Sequence, residues 1–229
     1  MILRKALMFV TAVSFMFLAL PVFADTASMD LTGAGSNVLD QVYIGPYTAT
    51  INGVSTQVIC DDYYDESFIG ESWTANTSTF PSLTDAKFTS APESQKYEEA
   101  AYLALKLLAA PVNSLEAGEI QFALWGVFDP SAITSLTSHN HGDGLAASWY
   151  LTDAENNYST LTASQLGEFT IYTPDSNDPI TCGNKPCASG PPQEFIAVKT
   201  HEPSTILLLG FGLTLVFLLT QKRRLALSL

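Results

Sequence analysis

Along residues 42–60, VYIGPYTATINGVSTQVIC, apolar positions gather on both sides of an Asn52-Gly53 pair. Val42, Ile44, Tyr47 and Ile51 precede the pair, and Val54, Val58, Ile59 and Cys60 follow it. Asn-Gly suits a type I′ turn, whose two central positions both need positive φ, so the pattern predicts a β-hairpin. Pro46 has no N–H to give a ladder and marks an edge or a bulge. A further strand is predicted over 71–77. Residues 25–40 are small and polar and read as a loose lead-in.

The period then lengthens. In SQKYEEAAYLALKLLAA, Tyr97, Ala101, Leu105 and Leu108 fall on one helical stripe, with Ala100, Ala104 and Leu107 beside it. Pro111 ends this helix. A second helix is predicted from Asn113, with Glu116 completing a capping box, through IQFALWGVF to Pro130. TSHNHGDG reads as a loop, followed by a third helical stretch over 145–156. GEFTIYTP and QEFIAVKT close the pattern as two strands around a turn-rich insert. Strands, then helices, then strands predict an α+β fold: an antiparallel β-sheet or sandwich with an inserted helical subdomain of two to three helices.

The two ends do not belong to this pattern. Residues 1–24 begin with Arg4 and Lys5, continue with an apolar run and end in Val22-Phe23-Ala24, the order of a secretory signal peptide. Residues 201–229 carry His201, Glu202, Pro203, Ser204 and Thr205, then an apolar stretch over 206–219, then Lys222, Arg223 and Arg224 as a basic stop. The expected domains are therefore 1–24 signal peptide, 25–40 lead-in, 41–200 exported domain and 201–229 tail. The tail resembles the PEP-CTERM sorting signal of exported proteins from Gram-negative bacteria, with His201 in place of the motif's first proline. That resemblance implies handling by the export machinery and by an exosortase, and a short transmembrane helix that anchors the chain at least transiently. The implied location is the cell envelope or the extracellular space.

Charge narrows the function classes. Between the two ends, five basic residues face 22 acidic ones, a net charge near −17. Such a surface does not seek nucleic acid, whose phosphates require cations.

Three cysteines remain, in a compartment expected to be oxidising: Cys60, Cys182 and Cys187. A small turn closed by a Cys182–Cys187 disulfide is the simplest reading; free thiols, or a bond from either to Cys60, are the alternatives. On the simplest reading Cys60 is odd, and an odd cysteine is buried and inert, paired to another chain, or chemically occupied.

VICDDY places Cys60 at a strand end, and IQFALW places Gln121 one turn before Trp125 on a helix. A buried amide without partners costs a few kcal/mol, about 1–3 from mutational data, so Gln121 needs a use. Ile120, Gln121, Leu124 and Trp125 resemble the hydrophobic-Gln-x-x-hydrophobic-Trp helix of bacterial surface thioester domains. Cys60 and Asp62 resemble that family's Cys-hydrophobic-Asp strand end, with Asp61 in the hydrophobic place. The resemblance implies that the Cys60 sulfur condenses with the Gln121 carbonyl, releases ammonia, and leaves an acyl donor for a surface amine. The plain alternative is a core cysteine and a glutamine that bonds a loop carbonyl.

Two metal patterns are weaker. Asp61, Asp62, Asp65 and Glu66 form an acidic knot open to calcium, but they lack the regular alternation of a calcium loop, and a solvated acidic turn is the favoured reading. His139, His141 and Asp143 have ligand chemistry in what reads as an exposed loop. No catalytic triad, phosphate-binding loop or carboxylate pair stands out, and enzymatic turnover is not expected. The expected function is covalent surface attachment through Cys60 and Gln121, with no cofactor. The alternatives are a structural component of an exopolysaccharide or biofilm matrix and a calcium-stabilised carbohydrate-binding module.

Overall fold

The computed structural model describes residues 26–88, 93–177, 180–182 and 190–199. The signal-like segment, the sorting-like motif at 201–205 and the basic stop at 222–224 lie outside these residues.

Six strands form one antiparallel sheet: β1 (Thr26–Gly33), β4 (Tyr47–Ile51), β5 (Val54–Cys60), β6 (Ser72–Thr79), β7 (Phe169–Pro174) and β8 (Phe195–Val198). The sheet closes on itself in the order β1-β4-β5-β8-β7-β6, so it is a barrel and not the expected sandwich. Closure is made by β1, which pairs with β4 on one side and β6 on the other. The loose lead-in expected over 25–40 is thus corrected. Ala27, Met29 and Leu31 alternate inward along β1, and a strand of such small residues carries little apolar contrast in its sequence. A two-stranded ribbon, β2 (Val38–Leu39) with β3 (Val42–Tyr43), follows it.

The predicted hairpin is β4–β5. Ile51 pairs with Val54, and Asn52 and Gly53 take φ of 49° and 82° at the turn. The last rung of β5 is short: it meets β8 only at Ile59↔Ile196 and Cys60↔Phe195. Period-2 alternation sends Ile59 into the layer between sheet and helices and Cys60 into the barrel interior.

The helical insert between β6 and β7 is larger than expected. Its α-helices are α1 (Glu93–Ala109), α2 (Leu115–Phe128), α3 (Ser131–His139), α4 (His141–Asn157) and a short α5 (Ala163–Leu166). On α1 the buried stripe is Tyr97, Ala100, Ala101, Leu103, Ala104 and Leu107, while Leu108 is exposed. The N-cap of α2 is Ser114, whose hydroxyl accepts from the Ala117 N–H at 3.1 Å, rather than Asn113. The stretch read as a loop is helix up to His139, and Asn140 alone separates α3 from α4 while capping the latter. Helix α2 is buried on nearly every side from Ala117 to Phe128, as a central helix must be. Phe122 and Trp125 join the barrel cluster; Ile120, Leu124 and Phe128 join the helical cluster.

The transmembrane expectation is also corrected: among the described residues no helix is long and apolar enough to cross a membrane, and residues 206–219 lie outside them.

Candidate functional site

Strand β5 delivers Cys60 to the barrel interior at its last rung, and α2 lowers Gln121 onto it. Both residues are fully buried. Across 61 positions of sequence, the Gln121 Nε2 donates to the Cys60 carbonyl at 2.7 Å. The Gln121 Oε1 has no partner. It points at Gly45, where a Cβ would stand 2.7 Å from the oxygen. Only glycine leaves the amide that position.

The sulfur is a free, buried thiol that donates to the Asp62 carbonyl at 3.1 Å. Burial raises its pKa, and the nearby Asp62 and Asp61 charges raise it further; a backbone hydrogen bond at Asp62 and the Trp125 indole oppose this. The indole N–H makes no well-aligned hydrogen bond, yet it lies close enough to the sulfur to favour the thiolate. Trp125 is stacked obliquely on Tyr63, with centroids 5.3 Å apart, and edge-on to Phe122 at 5.1 Å. Ile120 and Leu124 face the helical cluster and hold α2 in place without touching the pair's side of the helix.

Asp62 is the hinge of the strand end. Its carboxylate takes the Lys87 ammonium at 2.6 Å and the Tyr64 N–H at 3.0 Å, and its carbonyl also accepts from Gln193 Nε2 at 2.8 Å. Lys87 bridges to Asp65 as well, at 2.5 Å. Burial alone would lower the Lys87 pKa, but the hydrogen bonds it donates to Asp62 and Asp65 outweigh this and raise it.

Asp61 turns the other way, towards Glu194. Neither of its oxygens has a donor if both acids are ionised. One proton held between the two carboxyls would supply the missing hydrogen bond. Burial first, then the Glu194 charge, push Asp61 well above the ordinary carboxylate range. Glu194 is raised by burial despite donors that oppose the rise: Thr173 Oγ1, Tyr97 Oη at 2.6 Å and the Lys87 N–H at 2.7 Å. Glu194, Lys87 and Gly45 were not singled out from sequence, and Tyr47 only as an apolar strand position. Glu194 had one signal, an acid set directly before an apolar strand.

The acidic knot therefore does not converge: Asp61 pairs with Glu194, Asp62 and Asp65 share Lys87, and Glu66 is exposed. His139 bonds Asp40 at 2.8 Å, and Asp143 is capped through its N–H by Asn140. Among the described residues no group of three His, Cys, Asp or Glu side chains is placed to hold a metal ion. Cys182 is disulfide-bonded; Cys187, its expected partner, lies outside the described residues.

A cleft of about 800 Å³ opens beside the pair, and neither Cys60 nor Gln121 is among its lining residues. Tyr47 and Trp125, which flank the sulfur, also line this cleft, together with Tyr43, Tyr63, Phe68 and Glu66. Comparison with family models, with curated proteins and with solved structures gave no match.

Proposed function

We propose that this chain is an exported attachment protein in which Cys60 and Gln121 condense into an internal thioester. The signal-like start and the PEP-CTERM-like tail support export. The observation that carries the chemistry is the contact itself: a buried free cysteine under a glutamine whose amide nitrogen bonds the Cys60 carbonyl at 2.7 Å and whose oxygen has no partner.

The reaction balances without a cofactor. The Cys60 sulfur adds to the Gln121 side-chain carbon, the thiol proton goes to the amide nitrogen, and ammonia leaves. Holding the two residues side by side in one domain replaces a bimolecular encounter, an effect able to supply about 7–11 kcal/mol in well-oriented systems. The raised thiol pKa works against attack, and this slows bond formation to an event of maturation. The same dry surroundings protect the product from hydrolysis. A primary amine then attacks the acyl carbon, Cys60 departs and recovers a proton, and an amide joins Gln121 to the partner. Each chain reacts once, so the protein is not a turnover enzyme.

One rival reading has an observation in its favour. The Gln121–Cys60 hydrogen bond already satisfies half of the amide, as in a passive matrix component with a free thiol. Intact mass separates the two. The mature chain is expected to be lighter by one ammonia and to gain methylamine, and both effects should vanish in Cys60→Ala. A chain of full mass that ignores methylamine would establish the rival.

A further inference from the structure

The cleft that shares Tyr47 and Trp125 with the surroundings of Cys60 is far larger than a simple amine requires, and its walls have a specific chemistry. Its volume, about 800 Å³, lies in the range that takes a drug-sized ligand. Tyr43 and Phe68 are exposed large aromatics at 54% and 46%. The lip carries Gln41 and Glu66, both exposed. Ser67, whose oxygen accepts from the Gln193 N–H at 2.8 Å, keeps its own hydroxyl proton to donate. Flat apolar faces beside hydrogen-bonding groups, the Asp65 and Glu66 carboxylates among them, match a pyranose ring, which has an apolar C–H face and a rim of hydroxyls. At the inner end stands Trp125, nine-tenths buried or more, its N–H unpartnered, next to the sulfur.

The nucleophile must also arrive ready to react. No histidine lines the cleft, so no side chain there has the ordinary pKa of a base poised near neutrality. A lysine amine, with pKa about 10.4, is almost wholly protonated at neutral pH. An amino group on a sugar ring is less basic, because the neighbouring oxygens withdraw electrons, and a larger share of it is free base. The acidic body, net near −17, attracts the fraction that remains cationic.

Resting on the thioester reading above, we propose that the cleft is a glycan subsite, selecting an amino-sugar residue of a polysaccharide as the amine acylated by Gln121. The sugar's nitrogen bonds to the Gln121 acyl carbon, the Cys60–acyl bond breaks, and the amine's proton passes to the sulfur. Tyr43 and Phe68 determine specificity through stacking and touch neither the sulfur nor the acyl carbon.

The test uses the full mature chain and follows adduct mass against time with three probes at matched amine concentration. They are methylamine, a β-linked glucosamine tetramer and a lysine-containing tetrapeptide. The tetramer is expected to add about tenfold faster than methylamine, a difference of about 1.4 kcal/mol. Tyr43→Ala and Phe68→Ala should each slow the tetramer several-fold and leave the methylamine rate unchanged. The proposal is overturned if the lysine peptide matches or outruns the tetramer, or if both variants leave the tetramer rate as it was. Methylamine marks which idea has failed: a chain that neither lacks ammonia nor adds methylamine removes the thioester and this subsite together, whereas normal methylamine addition without glycan preference removes the subsite alone.

Discussion

At the scale of single residues, the site depends on what is missing from Gly45. A methyl there meets the Gln121 oxygen at 2.7 Å and the Tyr47 ring at 3.3 Å, both in a packed interior. Gly45→Ala should therefore lift the amide off Cys60, abolish or strongly slow ammonia loss in the mass spectrum, and cost about 1–3 kcal/mol of stability. The Asp61–Glu194 pair makes a second prediction, and its sign is fixed by linkage. Both acids have folded pKa values raised by burial, so their neutral form is preferred in the folded state. Their contribution is fully present below the unfolded values, near 4, and is lost as pH rises towards the raised folded values. Asp61→Asn keeps a donor facing Glu194 and carries no charge. Its melting temperature should fall less than wild type's between pH 5 and 9; an equally steep fall would place the proton elsewhere. Cys60 and Gln121 were legible in the sequence because one was an odd cysteine and the other an amide amid apolar neighbours. Gly45 and Glu194 were not, since their roles exist only where three distant segments meet.

At the scale of elements, the helical insert is tightened by glycine. Where α3 crosses α4, a Cβ on Gly144 would stand 2.5 Å from the Thr137 Cα, and backbone cannot give way as a side chain can. Gly144→Ala should force the two helices apart and lower the urea midpoint, by about 1–3 kcal/mol in stability, with the denaturant slope unchanged. The Asn-Gly turn, the two closing strands and the apolar helix around Gln121 were readable because each carries a strong local signal. The stretch over 137–144 was misread as a loop because Gly, His, Asn and Ser suggest turns. There Asn140 instead caps α4 through the N–H groups of Gly142 and Asp143, and Asp129 caps α3 at the Ser131 N–H, 2.8 Å away.

At the scale of the whole molecule, closure of the barrel is the property that sequence concealed most fully. It rests on β1, whose alternation of Ala, Met and Leu with polar residues is brief and whose two partners lie on either side of it in the sheet. A chain that begins at Gln41 lacks this strand and opens the edges of β4 and β6. Such a chain should show no cooperative thermal transition, measured by near-ultraviolet circular dichroism, where the full chain shows one.

The shortness of the β5–β8 contact has a mechanical consequence. β8 is the last described strand before the tail, and it holds to the cysteine-bearing strand by only two residue pairs. If the partner pulls through Gln121 and the opposite load enters from the C-terminal side, the tension runs across that brief joint and the β7–β8 ladder beside it. An amide formed to the partner, as proposed above, would outlast any pull of this size. The resistance of the attachment to flow or shear is then set by how readily β8 peels from its neighbours, and extending that joint is the route to a stronger grip.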